Sequence, residues 1–321
     1  MSFPNTPKQS RSRYIGAKVE AAAGTAETLA AADFPLLAYE PQINPEINFA
    51  ERRPAGIAQG GLIGVTGQYA ANVSYSFELR GSGTPGTLPK WAETFFICSG
   101  FTNTTAADTS NTLDVAAGFG NQKTCTVADV VDGMTRMATG CMFSYRLSTT
   151  TGGVVMVHFT GKGVWVSPTD AAHPSGITHE TPVPPRFAGL STYTLGGADM
   201  GKTSRFELNQ NATVELRDDA SQQSGLCHAY IADQNPTLQI DPETPSVANN
   251  DILGDFLSGT SKALALTIGS VAGNIIDITA PAAQYQNPQE QDRRGLHTQQ
   301  ITAGLFNSGT SAVDMVRFVF R

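Results

Sequence analysis

Residues 73–79, VSYSFEL, alternate strictly between apolar and polar side chains. In an extended chain, alternate residues point to opposite sides, so the two kinds of side chain fall on opposite faces. The apolar members are Val73, Tyr75, Phe77 and Leu79. The segment therefore predicts a half-buried strand, as found in antiparallel sheets that pack one face on a core.

Further strand patterns occur at residues 154–159, 275–278 and 313–320. Only two segments have the start and stop signals of a helix. Residues 89–99 begin with Pro89 and are followed by Gly100, and residues 250–258 begin with an Asn cap and are followed by Gly259. The sequence therefore predicts a mainly β fold in which the helices are few and short.

The two halves of the chain repeat the same order of features, which indicates an internal duplication. The four positions in a Gly-rich loop of the first half are Arg53, Gln59, Gly61 and Leu62. The same residue types recur at the same spacing in the second half as Arg217, Gln223, Gly225 and Leu226. A strand and a helix follow in both halves, and residues 156–159, MVHF, match residues 315–318, MVRF, near each end.

The duplication predicts two tandem β-sandwich or barrel units, each with one packed α-helix. The first unit spans residues 35–170 and the second spans residues 191–321. Residues 171–190 lie in a Pro- and Gly-rich stretch that is typical of a linker. Residues 1–34 are polar and then Ala-rich, which suggests an N-terminal arm that docks on a neighbouring subunit or a frayed end.

Composition excludes several classes of protein. Forty per cent of the 321 residues are hydrophobic, which is enough for a core, and the apolar runs are too short for a membrane helix. The N-terminal residues do not predict a secretory signal. A formal net charge of −7 argues against tight binding of nucleic acid. The four cysteines lack metal-binding spacing, so we interpret them as reduced core residues.

Two glycine motifs match nucleotide-binding patterns but lack the required context. Residues 81–86, GSGTPG, follow a strand that alternates in polarity, whereas a dinucleotide-binding strand is buried on both faces. Residues 196–203, GGADMGKT, fit the phosphate-binding loop, yet strand-forming residues follow where that loop needs a helix. We interpret both as turns. No constellation suggests acid–base catalysis, and we expect neither an enzyme nor a cofactor or metal site.

Three stretches together resemble the tail tube proteins of long-tailed bacteriophages. Residues 51–89 carry a Gly-rich loop, a SFEL strand and GSGTPGTLP before a helix. Residues 159–171, FTGKGVWVSPTDA, are similar to the family's closing strand, and residues 261–298 are similar to the last third of its longer members. The loop at residues 217–229 is more polar than the family pattern.

The resemblance implies a structural subunit of the virion, assembled in the host cytoplasm, whose rings stack into a tube that conducts DNA during ejection. The implied partners are further copies of the chain and other tail proteins, such as terminator, tape measure and distal tail proteins. DNA would pass without specific binding, and no membrane would be involved. A capsid decoration protein or a head–tail connector is the alternative.

Three further expectations concern assembly. Residues 51–68 should form a contact loop between adjacent rings, because the loop combines charges with exposed apolar residues. Its candidate contact residues are Glu51, Arg52, Arg53, Ile57, Leu62, Ile63 and Val65. Acidic residues that could face the lumen are Glu78, Asp241 and Glu243. Because one chain carries two units, three chains should complete a ring with pseudo-sixfold symmetry.

Overall fold

A computed structural model describes residues 12–56, 60–309 and 313–321. In these residues the chain forms the following elements: β1 Arg13–Val19, β2 Tyr39–Arg52, β3 Leu62–Glu78, α1 Lys90–Phe95, β4 Phe101–Ala106, β5 Ser110–Val115, β6 Cys125–Val131, β7 Met134–Thr150, β8 Met156–Asp170, β9 Thr192–Leu195, β10 Ala198–Asp199, β11 Arg205–Asn209, β12 Ala212–Asp218, β13 Leu226–Gln234, β14 Thr237–Ile240, α2 Ile252–Ser258, β15 Ser261–Ile268, β16 Ile276–Tyr285, β17 Gln289–Arg293, β18 Leu296–Phe306 and β19 Arg317–Phe320. The predicted mainly β fold is confirmed, and both predicted helices are present.

A long antiparallel run of strands, which we call the main sheet, crosses both halves of the chain in the order β2–β3–β8–β7–β11–β14–β18–β16. One row of directly paired residues crosses it from β3 to β16, and every member is buried. The row is Phe77, Val157, Leu147, Leu208, Leu238, Ala303 and Tyr285. The strand pattern at residues 73–79 thus lies at the start of a continuous core face.

A second layer covers this core face, with the strand order β4–β5–β19–β16–β15–β9. Strand β16 belongs to both layers, since its beginning pairs with β19 and its end pairs with β18. Helix α1 lies between the layers: the Trp91 ring stacks on Phe77 at 5.8 Å, and the Phe96 ring lies 4.7 Å from Phe318. Aromatic packing of this kind adds to the stabilisation from apolar burial.

The two halves are joined by strand pairing as well as by the chain itself. β7 of the first half pairs with β11 of the second, and β5 pairs with the C-terminal β19. One cluster of buried apolar residues contains members of both halves. The unit boundaries at residues 35–170, 171–190 and 191–321 therefore remain predictions, and the described strands pair across them.

The features that repeat in the two halves have matching strand pairings, except for the last strand of each half. The buried pair Ile43 and Val73 joins β2 to β3, as the buried pair Leu208 and Leu238 joins β11 to β14. The closing strands differ, because β8 lies between β3 and β7, whereas β14 and β18 pair directly. β19 instead lies between β5 and β16 in the second layer. The matching MVHF and MVRF patterns thus belong to central strands of different layers.

Part of the predicted N-terminal arm belongs to the body of the protein. Residues Arg13–Val19 form β1, which pairs with β6 along its whole length. Glu20, which follows β1, is a buried carboxylate that accepts hydrogen bonds from the Thr124 and Thr126 hydroxyls and from the Gly140 amide. Such charge-assisted hydrogen bonds hold this segment firmly against β6 and β7.

Candidate assembly surface

The β2–β3 hairpin carries apolar side chains that are not covered by the described residues. Beyond the buried Ile43, every residue of β2 up to Arg52 is exposed. Phe49 is 65% exposed, and Ile63 and Val65 on the other strand are 90% and 55% exposed. Both faces of the hairpin therefore expose large apolar side chains, and such exposure on a protruding element is typical of an interaction site.

The local structure of residues 51–68 differs from the sequence prediction, and their role as a contact stays a prediction. Residues 51–68 were expected to be a loop, yet the strands continue to Arg52 and resume at Leu62. Both faces of the ladder are exposed here, so no alternation of burial marks the strands in the sequence.

The predicted contact residues occupy three kinds of position. Glu51 and Arg52 end β2, Arg53 follows them, and the β3 members are Leu62, Ile63 and Val65. The guanidinium of Arg53 lies 2.9 Å from the Glu51 carboxylate. Ile57 lies outside the described residues. Sequence reasoning missed Ile47 and Phe49 on β2, which are 46% and 65% exposed. Phe49 pairs with Thr66 and lies over Gly64, so it is on the opposite face of the hairpin from Val65.

The β12–β13 hairpin occupies the corresponding place in the second half but is folded against the first half. The Tyr69 amide donates to the Ser224 carbonyl at 3.2 Å, and the Gln68 side-chain amide donates to the Asp218 carboxylate at 2.8 Å. Val214 and Ile231 of this hairpin pack on Met142 of β7. These contacts account for the polar character of residues 217–229. Of the two hairpins, only β2–β3 keeps its apolar side chains exposed among the described residues.

The face of the main sheet that points away from the core is polar over most of its width. One row of paired residues on this face is Ser76, His158, Arg146, Asn209, Thr237, Gly304 and Gln284. The neighbouring row is Glu78, Met156, Ser148, Glu207, Gln239 and Thr302. Most of these side chains are uncharged, so the face offers hydrogen-bonding groups to solvent but little net charge. We call it the polar face.

Ion pairs neutralise several of the charges on the polar face. Arg146 lies 2.9 Å from Glu207, and Arg205 also pairs with that carboxylate. Burial raises the pKa of Glu207, but the two guanidinium groups outweigh burial and lower it below its ordinary value. His158 lies between Ser76, at 2.8 Å, and Ser148, at 3.2 Å, and burial lowers its pKa. His158 is thus a hydrogen-bonded residue of the sheet.

The three acidic candidates for the lumen have different surroundings. Glu78 accepts a hydrogen bond from the Tyr39 hydroxyl at 2.7 Å. Asp241 and Glu243 share one cation, because the Arg293 guanidinium lies 3.2 Å from Asp241 and 3.6 Å from Glu243. The charge of these two carboxylates is therefore partly offset inside the chain, and their position relative to a lumen stays a prediction.

The glycine motifs have structural explanations. A Cβ at Gly81 would lie 2.1 Å from the Gly273 carbonyl oxygen, so this glycine allows two loops from different halves to touch. Gly196 and Gly197 have positive φ angles of 62° and 81° in the turn between β9 and β10. Strand β11 begins two residues after Thr203, where a phosphate-binding loop requires a helix. Residues 196–203 thus comprise the turn between β9 and β10, the short strand β10 itself and the connection to β11.

Metal-ligand clusters and membrane-spanning helices are both absent from the described part of the chain. No group of three or more His, Cys, Asp or Glu side chains there could hold a metal ion. No helix there is long and apolar enough to cross a bilayer. Cys98, Cys125 and Cys141 are buried free thiols, as the sequence predicted, whereas Cys227 is partly exposed. No protein-family model and no curated protein matches the chain.

Proposed function

We propose that this chain is a structural subunit that assembles with copies of itself into rings, and that the rings stack into the hollow tail tube of a bacteriophage. The exposed β2–β3 hairpin carries this proposal. A soluble chain that leaves Phe49, Ile63 and Val65 uncovered gains stability when another molecule covers them. The hairpin would form the contact between adjacent rings.

The main sheet supports the same assembly. Strand β2 pairs with β3 alone among the described residues, so its outer edge has no strand partner, although Arg13 donates to the Pro41 carbonyl and Pro41 and Pro45 lack an amide hydrogen. Free sheet edges in soluble proteins are usually blocked or used for association. The polar face would line a channel, since uncharged hydroxyl and amide groups let DNA pass without holding it. The proposal includes no catalytic step.

The test is negative-stain microscopy of the purified protein together with a hairpin variant. The wild type should form long tubes. Ile63→Thr combined with Val65→Thr keeps the β-branched shape that strands favour but removes apolar surface, so it should give separate rings and no tubes. Val183→Thr is the matched control, because Val183 is 80% exposed and lies outside the hairpin. This variant should leave the tubes intact.

Deleting residues 58–64 is the stronger form of the same test and should also leave a folded protein without tubes. Normal tubes from either hairpin variant would contradict the assigned inter-ring contact. Single rings from the wild type, without stacking, would favour the head–tail connector instead.

A further inference from the structure

The sheet formed by β1, β6, β7 and β8 has a second apolar face, on the side away from the core. Val127 of β6 belongs to the core, so its neighbours Ala128 and Val130 point to the other side. Directly paired residues share a face, and two rows of them lie here. The first row is Tyr14, Val130, Thr135 and Thr169, and the second is Gly16, Ala128 and Met137.

Two stretches of chain border this face and leave a groove between them. On one side the Phe34 ring covers Gly16, since a Cβ at Gly16 would lie 2.7 Å from the ring. On the other side the His173 ring packs against Tyr14, with 5.3 Å between the ring centroids. The groove between them has a volume of about 550 Å³, and its apolar lining includes Leu29, Phe34, Val130, Met137 and Pro174. We call it the β6–β7 groove.

Residues 1–11 join the described part of the chain beside this groove. The Ser12 carbonyl accepts from the Asp132 amide at 2.9 Å, and the Ser12 hydroxyl lies 3.3 Å from Nε2 of His173. The neighbours of His173 in the chain, Ala172 and Pro174, both line the groove. Eleven extended residues reach about 36 Å. The two rows of the groove floor are only about 7 Å apart along the strands, so the segment is long enough to turn back and cross it.

The composition of residues 1–11, MSFPNTPKQSR, suits an apolar groove with carboxylates nearby. Phe3 is a large apolar side chain, and Pro4 and Pro7 have no amide hydrogen that would need a partner when buried. The segment contains Lys8 and Arg11 but no acidic residue. Glu27 lines the groove, where it also pairs with Lys18, and Asp132 lies beside Ser12.

We propose that residues 2–8 occupy the β6–β7 groove of their own chain, with the Phe3 ring against Val130 and Met137. The connection through Ser12 keeps the segment at a high effective concentration beside the groove, which favours it over the same segment of another copy. A thioether also makes favourable contacts with an aromatic ring. This inference concerns a single chain, so it does not depend on the proposed tube.

Trypsin cleavage after Lys8 measures whether the groove holds the segment. Phe3→Ser should raise the cleavage rate about tenfold or more, because the segment loses its large apolar contact. Met137→Gln, at a partly exposed position of the floor, should raise the rate similarly without lowering the melting temperature. Thr6→Ser is the control and should cleave like the wild type. If the two residues act through one contact, the double variant should cleave no faster than the faster single variant.

A disulfide test identifies the occupant. In a Cys227→Ser background, Ser2→Cys and Ser175→Cys placed in one chain should form an intrachain disulfide when oxidised glutathione accepts the two electrons. Ser175 lines the groove. Val271→Cys, at a residue that is 68% exposed between β15 and β16, replaces Ser175→Cys in the control and should react at least about tenfold more slowly.

Two results would overturn the proposal. One is equal trypsin cleavage of the wild type, Phe3→Ser and Met137→Gln. The other is a crosslinked dimer from a Ser2→Cys chain mixed with a Ser175→Cys chain, since the groove would then hold the segment of a neighbour. A wild type that forms no tubes would refute the proposed function and leave this inference standing.

Discussion

Asp241 joins three parts of the second half through one carboxylate. It accepts hydrogen bonds from the Thr203 hydroxyl at 2.6 Å and from the Ser204 and Arg205 amides at 2.8 Å and 2.7 Å, and it pairs with Arg293. Burial raises the pKa of Asp241, but the hydrogen bonds from Ser204 and Thr203 outweigh it, and the pKa falls below 3.8. The ionised carboxylate therefore stabilises the fold.

This pKa shift predicts a pH-dependent effect of Asp241→Asn. Because the folded-state pKa is depressed, the stabilisation is present above pH 3.8 and is lost as pH falls through the lower folded-state value. We expect the variant to lose about 1–2 kcal/mol of unfolding free energy at pH 7, and the loss to shrink towards pH 2. Urea unfolding across this range measures it, with the exposed Asp233→Asn as control. An equal loss at pH 7 and pH 2 would contradict the prediction.

At the scale of elements, the polar face of the main sheet makes a prediction about charge. The net charge of −7 and the need for DNA to pass freely predict a channel wall with negative potential, to which Glu78 contributes. An electrostatic map of the assembled tube should show this, and a positive wall would refute it. Tubes of Thr160→Lys, which adds a cation to an exposed position of this face, should retain DNA at low salt, unlike wild-type or Val183→Lys tubes.

Alternating burial accounts for the clearest strand prediction and its absence accounts for the missed hairpin, although β5 and β15 alternate and were not predicted. Residues 73–79 were found because Tyr75 and Phe77 are buried while Ser74 and Ser76 face outward. The remainder of β3 and all of β2 were missed, since exposure on both faces leaves no period of two. The uncovered hairpin was predicted as a loop for the same reason. The exposure of Leu253, Phe256 and Leu257 on α2 was not foreseen, because the sequence of a short apolar helix does not show whether the helix is buried or exposed.

At the scale of the whole molecule, the pairing between halves could not be predicted from the sequence. The contact of β19 with β5 joins residues about 200 positions apart, and no local pattern marks such a partner. The predicted duplication indicated the order of the elements. It did not predict that β14 and β18 pair directly, with no strand between them that corresponds to β8. The β5–β19 pairing and the direct β14–β18 pairing both arise because the two halves share one hydrophobic core instead of forming two separate cores.

The number of chains in a ring is the last prediction, and it follows from this shared core. If the tube wall needs six β-units and each chain supplies two, three chains complete a ring with true threefold and pseudo-sixfold symmetry. The alternative is six chains, with each second half placed outside the wall as an accessory domain. The main sheet disfavours that alternative, because it runs without a break from β3 of the first half to β16 of the second. An accessory domain would not need to continue the same polar face.

Since β12–β13 is folded against its own chain, each ring should also present three free hairpins to the next ring, not six. Rotational symmetry in electron micrographs of the tubes, with native mass spectrometry of rings from the hairpin variant, decides the number. Six identical chains per ring would show that the duplication does not have this consequence.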